Sequence, residues 1–217
     1  MRGPERVTKI SAHAGFHFRV DLSSPTVTKS VVLLHGSGRA EDDLIPFGLS
    51  VFADAVLFSP RGCLPWEDGF AFFRRTPDRQ IDMDDLAKRA ERLCNFLDFV
   101  ANETGHTPLL AGYSNGAIVA AETIRQNREL SQGAILLRPL SPCPDRNFPP
   151  LAGYPALLIA AENDQRREPS DAPYLAGQLE KAGADIVLRV VAGDHGWADD
   201  GADIRICKHW LHDHYKG

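Results

Sequence analysis

The feature that most constrains the fold is an alternation of short apolar runs with longer stretches of helical periodicity. Two runs, at 31–34 and 156–159, are apolar without interruption, as strands buried on both faces need to be. The sequence therefore predicts an α/β fold, with a mostly parallel sheet and helices on both faces. The predicted strands are 16–20, 30–34, 55–58, 108–111, 134–137, 156–161 and 186–191.

Helices are predicted between these strands, and the second of them has the clearest pattern. It carries one apolar stripe, and three aspartates stand in its first turn, where carboxylates favour the helix dipole. The stripe is Leu86, Ala90, Leu93, Leu97 and Val100, and the aspartates are Asp82, Asp84 and Asp85. The other predicted helices are 41–52, 115–127, 170–182 and 202–214.

The chain is long enough for one domain and contains no repeat or linker that would divide it. Its 217 residues suffice to bury a single core around one sheet. The strand predicted to end near 137 is followed by about eighteen residues before the next one, which is too few for an inserted lid domain. We therefore predict a single domain, residues 1–217, without a large lid.

Composition and charge limit the kinds of binding partner and the cellular compartment that the sequence predicts. The net charge of −5 gives no reason to expect nucleic acid or an anionic membrane. Residues 1–20 lack the apolar core of a secretory signal, and no stretch has the roughly eighteen apolar residues of a membrane span. The four cysteines show no metal-ligand spacing, so we interpret them as reduced thiols. These features predict a cytoplasmic protein.

A candidate nucleophile follows the predicted strand at 108–111. The next five residues, 112–116, read G-Y-S-N-G and lead into an apolar helical stretch. A serine hydroxyl is a weak nucleophile, and hydrolases present it on a sharp turn between a strand and a helix. Gly112 and Gly116 remove Cβ atoms that would collide where strand and helix approach. We predict that Ser114 is nucleophilic; the alternative is a serine that merely caps the helix.

Two backbone amides are candidates for an oxyanion hole. The predicted strand at 30–34 runs into H-G-S-G at 35–38, where glycines let the backbone approach a substrate oxygen. We assign the Ser37 N–H as one donor and the Asn115 N–H, at the start of the helix, as the other. His35 precedes the nucleophile on a strand end, so we expect it to make structural hydrogen bonds under the loop.

A base and an acid follow the nucleophile, each after its own predicted strand. His195 lies between glycines just past the last strand, late in the chain as the base should be. Asp164 follows the preceding strand and is our choice for the acid. Glu162 remains the alternative, because a shift of one residue would exchange their directions. Asp194 is adjacent to His195 in sequence and is poorly placed to hold its Nδ1.

Together these motifs resemble the phospholipase/carboxylesterase family of α/β-hydrolases, which includes small carboxylesterases, lysophospholipases and acyl-protein thioesterases. The resemblance covers nearly the whole chain. It is carried by HGSG at 35–38, SPRG at 59–62, GYSNG at 112–116, the Asp164 loop and DHGW at 194–197. SPRG followed by FFRR at 72–75 is similar to a branch linked to hydroquinone metabolism. The resemblance implies an α/β-hydrolase fold with Ser114, Asp164 and His195 as the catalytic triad.

The chain departs from the pattern expected of the family at two places. Relatives are expected to carry Val-Pro soon after the acid, whereas Gln165-Arg166-Arg167-Glu168-Pro169 follows here. The residue after the nucleophile is asparagine where glutamine is commoner, which matters little if only its N–H acts.

The substrate pocket is the least constrained part of the sequence. Trp66, Phe70, Phe72 and Phe73 follow the SPRG motif and are predicted to form an acyl-binding wall; their alternative is packing of a long loop onto the body. Arg61 is a candidate to bind an anionic group of the substrate. For Arg74 and Arg75, solvated charge or a structural ion pair is favoured over substrate contact.

The reaction predicted from these residues is hydrolysis of carboxylic esters with short to medium acyl chains, through an acyl-enzyme on Ser114. It needs no metal or organic cofactor, and His209 and His212 lack the neighbours of a metal site. The predicted partner is a small-molecule ester, and a homodimer is left open. Lysophospholipase or acyl-thioesterase activity is the alternative, and a ligand-binding protein of this fold with little turnover is the alternative of another class.

Overall fold

A computed structural model describes residues 9–22, 26–78 and 80–215. Its strands are β1 (Lys9–His13), β2 (Phe16–Leu22), β3 (Lys29–Leu34), β4 (Ala55–Pro60), β5 (Leu64–Trp66), β6 (Gly69–Ala71), β7 (Leu109–Tyr113), β8 (Ala134–Leu137), β9 (Pro155–Ala161) and β10 (Asp185–Val191). Eight of them form one sheet in the order β1-β2-β4-β3-β7-β8-β9-β10, and β5 and β6 pair separately. The six strands from β4 to β10 in this order are parallel, and β1 and β2 are antiparallel additions at one edge.

The helices cover both faces of the sheet, as predicted. They are α1 (Ile45–Val51), α2 (Met83–Thr104), α3 (Asn115–Gln126), α4 (Asp171–Lys181) and α5 (Ala202–His214), with a short 3₁₀ helix at Arg128–Leu130. Buried residues of α2, α3 and α4 belong to one apolar cluster, and buried residues of α1 and α5 belong to another. The Asp82 side chain caps α2 by accepting a hydrogen bond from the Asp85 N–H at 3.0 Å.

The uninterrupted apolar runs are explained by the two helix layers. In β3, Val31 and Leu33 face the cluster under α1 and α5, whereas Val32 and Leu34 face the cluster under α2 and α3. All four side chains are fully buried. Since successive residues of a strand point to opposite faces, both sets of side chains in a strand covered on both sides must be apolar or hydrogen-bonded, as Ser30 is to the carbonyl of His106.

Five of the six parallel strands, β3, β7, β8, β9 and β10, are followed by loops that lie together at the carboxyl-terminal edge of the sheet. In an open parallel sheet this edge is where ligand sites form. Residues 138–154, between β8 and β9, contain neither helix nor strand, so no lid domain covers the edge from this position.

The prediction of one domain over 1–217 concerns some residues outside the described ranges. These are 1–8, 23–25, 79 and 216–217, and the first group includes part of the segment in which we sought a secretory signal. None of the described helices is long and apolar enough to cross a membrane.

Candidate active site

Ser114 occupies the sharp turn between β7 and α3. Its backbone has φ 52° and ψ −105°, a conformation that costs a non-glycine residue about 1–3 kcal/mol. The turn is held from both sides, because the Ser114 N–H donates to the carbonyl of Leu137 at 2.8 Å and the Ser114 carbonyl accepts from the Ile118 N–H at 3.1 Å. The neighbouring elements therefore fix a strained turn that presents the hydroxyl.

The two glycines that flank this turn are required by close backbone approaches. A Cβ atom on Gly112 would lie 2.6 Å from the carbonyl oxygen of Gly116. One on Gly116 would lie 2.0 Å from the carbonyl oxygen of Leu34, at the end of β3. Both distances are far below van der Waals contact, so glycine is needed at both positions for α3 to begin where it does.

The structure brings His195 and Asp164 to Ser114 in one hydrogen-bonded chain. His195 Nε2 is 2.9 Å from Ser114 Oγ, and His195 Nδ1 is 2.7 Å from Asp164 Oδ2 and 2.8 Å from Oδ1. The Asp164 side chain is 4% exposed and that of His195 15% exposed. Glu162, the alternative acid, makes no contact with the ring; its N–H pairs with the carbonyl of Val191.

Backbone contacts hold the two loops that carry this pair. Asn163 N–H donates to the carbonyl of Gly193 at 2.9 Å, which joins the loop after β9 to the loop after β10. Asp164 Oδ1 accepts from the Arg166 N–H at 2.8 Å. The Tyr113 hydroxyl donates to the His195 carbonyl. The loops are thus joined through the backbone, the Asp164 carboxylate is held by the Arg166 N–H, and the backbone of His195 is held by the Tyr113 hydroxyl.

The electrostatics of the site favour a neutral imidazole. Burial lowers the pKa of His195 below its usual value, the hydrogen bond that Nδ1–H donates to Asp164 raises it, and the positive charge of Arg167 lowers it. At neutral pH the ring is therefore uncharged. With Nδ1–H donated to Asp164, the free electron pair of Nε2 faces the Ser114 hydroxyl and is able to accept its proton.

The structure places Ser37 and Asn115, the predicted amide donors, near Ser114 in the fold. Ser37 and Ser114 line the same cleft, and Asn115 is the first residue of α3. Neither backbone N–H donates to another of the described residues, so both are available to a ligand. The sequence did not indicate that the Asn115 side chain has a partner of its own: its Oδ1 accepts from the Phe72 N–H at 2.8 Å.

His35 makes the structural contacts expected of it. It is fully buried; its Nδ1 lies 2.7 Å from the carbonyl of Gly36, and its Nε2 accepts from the Gly62 N–H at 2.9 Å. Burial lowers the pKa of His35 to about 4, so the ring stays neutral. It ties the loop after β3 to the loop after β4.

The cleft around Ser114 has a volume of about 620 Å³. The large aromatic side chains among its lining residues are Tyr113 and Trp197, whose rings lie 4.9 Å apart between centroids. Trp197 also stacks on Phe47 of α1 at 5.2 Å and is 43% exposed. The remaining lining is polar: Gly36, Ser37, Gly38, Arg39, Asp43, Glu67, Asp68, Gln165, Arg166, Asp194, His195 and Gly196.

The predicted acyl-binding wall is wrong for Phe72 and Phe73. Both are 1% exposed and belong to the core beneath α2. The Phe72 N–H is held by Asn115, so the loop after β6 turns inward at this point. Trp66 and Phe70 are half-buried on the β5–β6 hairpin, and neither is among the described residues that line the cleft.

Arg61, predicted to meet the substrate, is engaged elsewhere. Its guanidinium lies 4.4 Å from the centroid of the Phe70 ring and 3.7 Å from Glu41. For Arg74 the ion-pair interpretation is confirmed, since it lies 3.5 Å from both Asp82 and Asp85.

Arg167 is a residue of the site that the sequence analysis did not assign. Its Nη2 donates to Ser114 Oγ at 3.0 Å, its Nε to the carbonyl of Arg138 at 2.9 Å, and its Nη1 to the carbonyl of Arg166 at 2.8 Å. It lies in the segment 165–169, where the chain departs from the family pattern. That departure was the only available signal.

Arg138 is the second missed residue. It is 1% exposed at the end of β8, and its guanidinium binds Asp203 of α5 at 2.8 and 3.0 Å and the carbonyl of Gly196 at 2.6 Å. Asp203 also accepts from the Ala198 N–H at 2.8 Å. The pair therefore secures the segment that follows His195. A charged residue directly after a buried strand was its one signal in the sequence.

The cysteines and histidines outside this site form no further chemical cluster. Each of the four cysteines is a free thiol, and two of them, Cys143 and Cys207, are buried. No group of three or more histidine, cysteine, aspartate or glutamate side chains within the described ranges is arranged to hold a metal ion.

Comparison with known proteins gives one sequence relationship and many structural ones. No protein-family model matches the chain. The protein named Putative hydrolase MhqD of Bacillus subtilis is 32% identical over 169 residues, which are 76% of this chain and 84% of that protein.

Crystal structures of two carboxylesterases share the fold. The carboxylesterase from Mesorhizobium loti superposes with a TM-score of 0.83 at 27% identity, over 94% of this chain and 98% of that one. The Bacillus cereus carboxylesterase gives a TM-score of 0.83 at 28% identity, over 90% and 93% of the two chains. The predicted α/β-hydrolase fold is confirmed, and the chain belongs to the phospholipase/carboxylesterase family of α/β-hydrolases, in the branch that contains the Bacillus subtilis protein.

Proposed function

We propose that this protein hydrolyses carboxylic esters through an acyl-enzyme on Ser114. The observation that carries the proposal is the continuous chain from Asp164 through His195 to Ser114, with links of 2.7 and 2.9 Å. The two carboxylesterases of the same fold, each above a quarter identical, support ester substrates in particular.

In the first step, Ser114 Oγ attacks the ester carbonyl carbon as its proton passes to His195 Nε2. The carbonyl electron pair moves onto oxygen, and the N–H groups of Ser37 and Asn115 stabilise that charge. The tetrahedral intermediate collapses, the C–O bond to the alcohol breaks, and the proton on His195 goes to the leaving alcohol. Asp164 stabilises the imidazolium throughout and is not itself protonated.

In the second step, water replaces the alcohol. His195 takes a proton from the water, whose oxygen attacks the acyl carbonyl. When the second tetrahedral intermediate collapses, Ser114 Oγ leaves and recovers its proton from His195. The carboxylic acid is released, and the sum of the two steps is an ester plus water giving an acid and an alcohol.

The shape of the cleft supports short to medium acyl chains. It has no lid domain from the β8–β9 connection, and among its described lining residues Tyr113 and Trp197 provide the apolar surface for an acyl chain. A buried methylene contributes about 0.8 kcal/mol, and the gain ends when the chain extends beyond such a surface. Acyl-thioesters pass through the same acyl-enzyme and belong in the same substrate panel.

The direct test is the turnover of neutral short-chain esters by the Ser114→Ala variant. We expect kcat to fall by about 10⁴–10⁶-fold, as when the nucleophile of such a group is removed. Ser50→Ala is the matched control, because Ser50 is exposed on α1 and should leave activity unchanged. Activity retained by a folded Ser114→Ala variant contradicts the proposal.

A further inference from the structure

We propose that Arg167 forms a carboxylate-binding subsite beside Ser114, so that the enzyme prefers esters whose acyl group ends in a carboxylate. Such substrates are monoesters of short dicarboxylic acids. The inference rests on the proposed esterase function and specifies the substrate class of the same site.

The guanidinium of Arg167 is half-buried and has no direct ion-pair partner among the described residues. The acceptors of its hydrogen bonds are the Ser114 hydroxyl and the backbone carbonyls of Arg138 and Arg166, all of them neutral. No carboxylate of the described residues comes within 4.0 Å of it. Burial lowers the pKa of Arg167 to about 10, which leaves it charged at neutral pH. Direct pairing with a ligand carboxylate would stabilise a half-buried cation of this kind.

Charges of both signs act on Arg167. After burial, the largest influence on the pKa of Arg167 is the negative charge of Asp164, which raises it, and Asp171 acts in the same direction. Arg75 and Arg166 lower that pKa. Arg166 is exposed and also lines the cleft, so an anion entering from solvent meets it first.

A second cavity, of about 300 Å³, lies on the other side of Arg167. Arg167 itself lines this cavity with Arg138, Glu162, Asp164, Glu168 and apolar residues, and none of these carboxylates forms an ion pair with the guanidinium. The connection of the cation to the Ser114 side is the hydrogen bond from Nη2 to Ser114 Oγ at 3.0 Å.

The charges along the cleft are divided by the position of Ser114 in the sheet. Asp43 follows β3, and Glu67 and Asp68 form the turn of the β5–β6 hairpin, which packs on the loop after β3. Arg166 and Arg167 follow β9, on the other side of β7 in the strand order. Each half also contains a charge of the opposite sign: Arg39 lies 3.8 Å from Asp43, and Asp194 lines the half that contains Arg166. The net excess of acid is on the side of the β5–β6 hairpin, from which a substrate carboxylate is repelled.

Acylation of Ser114 removes one of the hydrogen-bond acceptors of Arg167. While the serine is free, its Oγ accepts a hydrogen bond from Nη2. In the acyl-enzyme that oxygen is the bridging atom of an ester and a poor acceptor, so the guanidinium loses a partner. The acyl group is then the only part of the substrate left in the site. A carboxylate about two to four carbon atoms from the carbonyl, at about 1.5 Å a bond, would reach the same N–H groups.

The test compares kcat/KM for three esters by pH-stat titration of the acid released. Monoethyl glutarate carries the carboxylate on the acyl side, ethyl pentanoate is its neutral counterpart, and the butanoate ester of glycolic acid carries the carboxylate on the alcohol side. We expect the wild type to prefer monoethyl glutarate over ethyl pentanoate by about tenfold or more, since a hydrogen bond to a charged group contributes about 1.5–3 kcal/mol. The advantage should decrease with added salt.

Variants then assign the preference to Arg167. Arg167→Gln should lower the ratio of the glutarate to the pentanoate ester by about 10–100-fold, and Arg167→Lys should restore part of it. Arg189→Gln is the matched control: it removes one exposed positive charge on β10, and we expect the ratio to stay at the wild-type value. If Arg167→Gln does not fold, the wild-type ratio and its salt dependence decide the question.

Three results would overturn the inference. The first is a wild type that prefers ethyl pentanoate, and the second is a wild type that prefers the glycolate ester over monoethyl glutarate. The third is an equal loss of kcat/KM for both ethyl esters in Arg167→Gln, which would mean that Arg167 only orients Ser114. Turnover of ethyl pentanoate by the wild type tests the proposed esterase function by itself, because this substrate has no carboxylate for Arg167 to bind. A protein that hydrolyses none of the esters refutes both.

Discussion

Three loops supply the reactive side chains, and at the scale of single residues each is constrained by a different contact. Ser114 is held by its strained turn, Asp164 by the Arg166 N–H, and His195 by the Tyr113 hydroxyl. The hydrogen-bonded chain among them therefore does not depend on a bound substrate. Such preorganisation is what a transition state of developing charge requires.

The choice of acid is the sharpest prediction at this scale. Asp164→Asn should lower kcat by about 10⁴-fold, because an amide in that place favours the wrong tautomer of His195. Glu162→Gln is the matched control on the same loop, and its effect should be small because Glu162 does not contact the ring. Steady-state kinetics on a neutral ester decide between them; a larger loss in Glu162→Gln would show that the acid was assigned to the wrong residue.

The pH dependence tests the electrostatic contact between Arg167 and His195. The positive charge of Arg167 lowers the pKa of His195, and the reaction needs the neutral ring. Removing the charge in Arg167→Gln raises that pKa, so the acid limb of kcat/KM moves to higher pH. The measurement is a profile from about pH 5 to 8 on ethyl pentanoate.

Arg189→Gln serves again as the control for net charge, and its acid limb should stay at the wild-type position. An unchanged limb in Arg167→Gln, or one displaced to lower pH, would mean that the two groups do not interact as the structure indicates.

The sequence predicted Ser114, Asp164 and His195 because each follows a predicted strand within four residues, where local signals mark the position, and the structure brings the three side chains together. Arg138 and Arg167 were missed for a different reason. Their roles depend on which distant groups meet them: Asp203 lies 65 residues from Arg138, and Ser114 lies 53 residues from Arg167. No local pattern distinguishes an arginine that meets such partners from a solvated one.

At the scale of elements, the buried strands were predictable and the short hairpins were not. Each of the seven predicted strands is present. In the central strands β3, β8 and β9 the signal is an uninterrupted apolar run, which is needed where helices cover both faces. Strands β5 and β6 have three residues each and bury little, so their sequences show no periodicity. Missing this hairpin led to the incorrect aromatic wall, since the turn into Phe72 and Phe73 follows β6 directly.

The contact between β8 and α5 gives a prediction about stability. Asp203→Asn removes the counter-charge of Arg138, and leaving a buried cation unpaired should lower the free energy of unfolding by about 3–5 kcal/mol. Activity should fall as well, because the same guanidinium holds the carbonyl of Gly196 next to His195. Urea unfolding followed by circular dichroism measures the first effect.

Asp200→Asn is the matched control for Asp203→Asn. Asp200 precedes α5 and pairs with Arg205 of that helix at 2.7 Å. Both side chains are more than half exposed, so we expect little change in stability. Equal effects of the two substitutions would contradict the structural role given to the Arg138–Asp203 pair.

At the scale of the whole molecule, the direction of the parallel strands places the site. Since β3, β7, β8, β9 and β10 all end at one edge, residues from 37 to 195 meet there. The absence of helix and strand from 138–154 leaves that edge without a lid from this connection, as the spacing between predicted strands indicated. The charge distribution along the cleft could not be predicted, because it depends on strand order rather than on composition.

The most direct test of the central claim is covalent labelling of the wild-type protein with a fluorophosphonate, followed by mass mapping of the adduct. A fluorophosphonate reacts with a serine only where a base and oxyanion donors activate it. We expect one adduct per chain, on Ser114, and complete loss of activity towards neutral esters. An adduct on another serine, or full inactivation without modification of Ser114, would contradict the proposed mechanism.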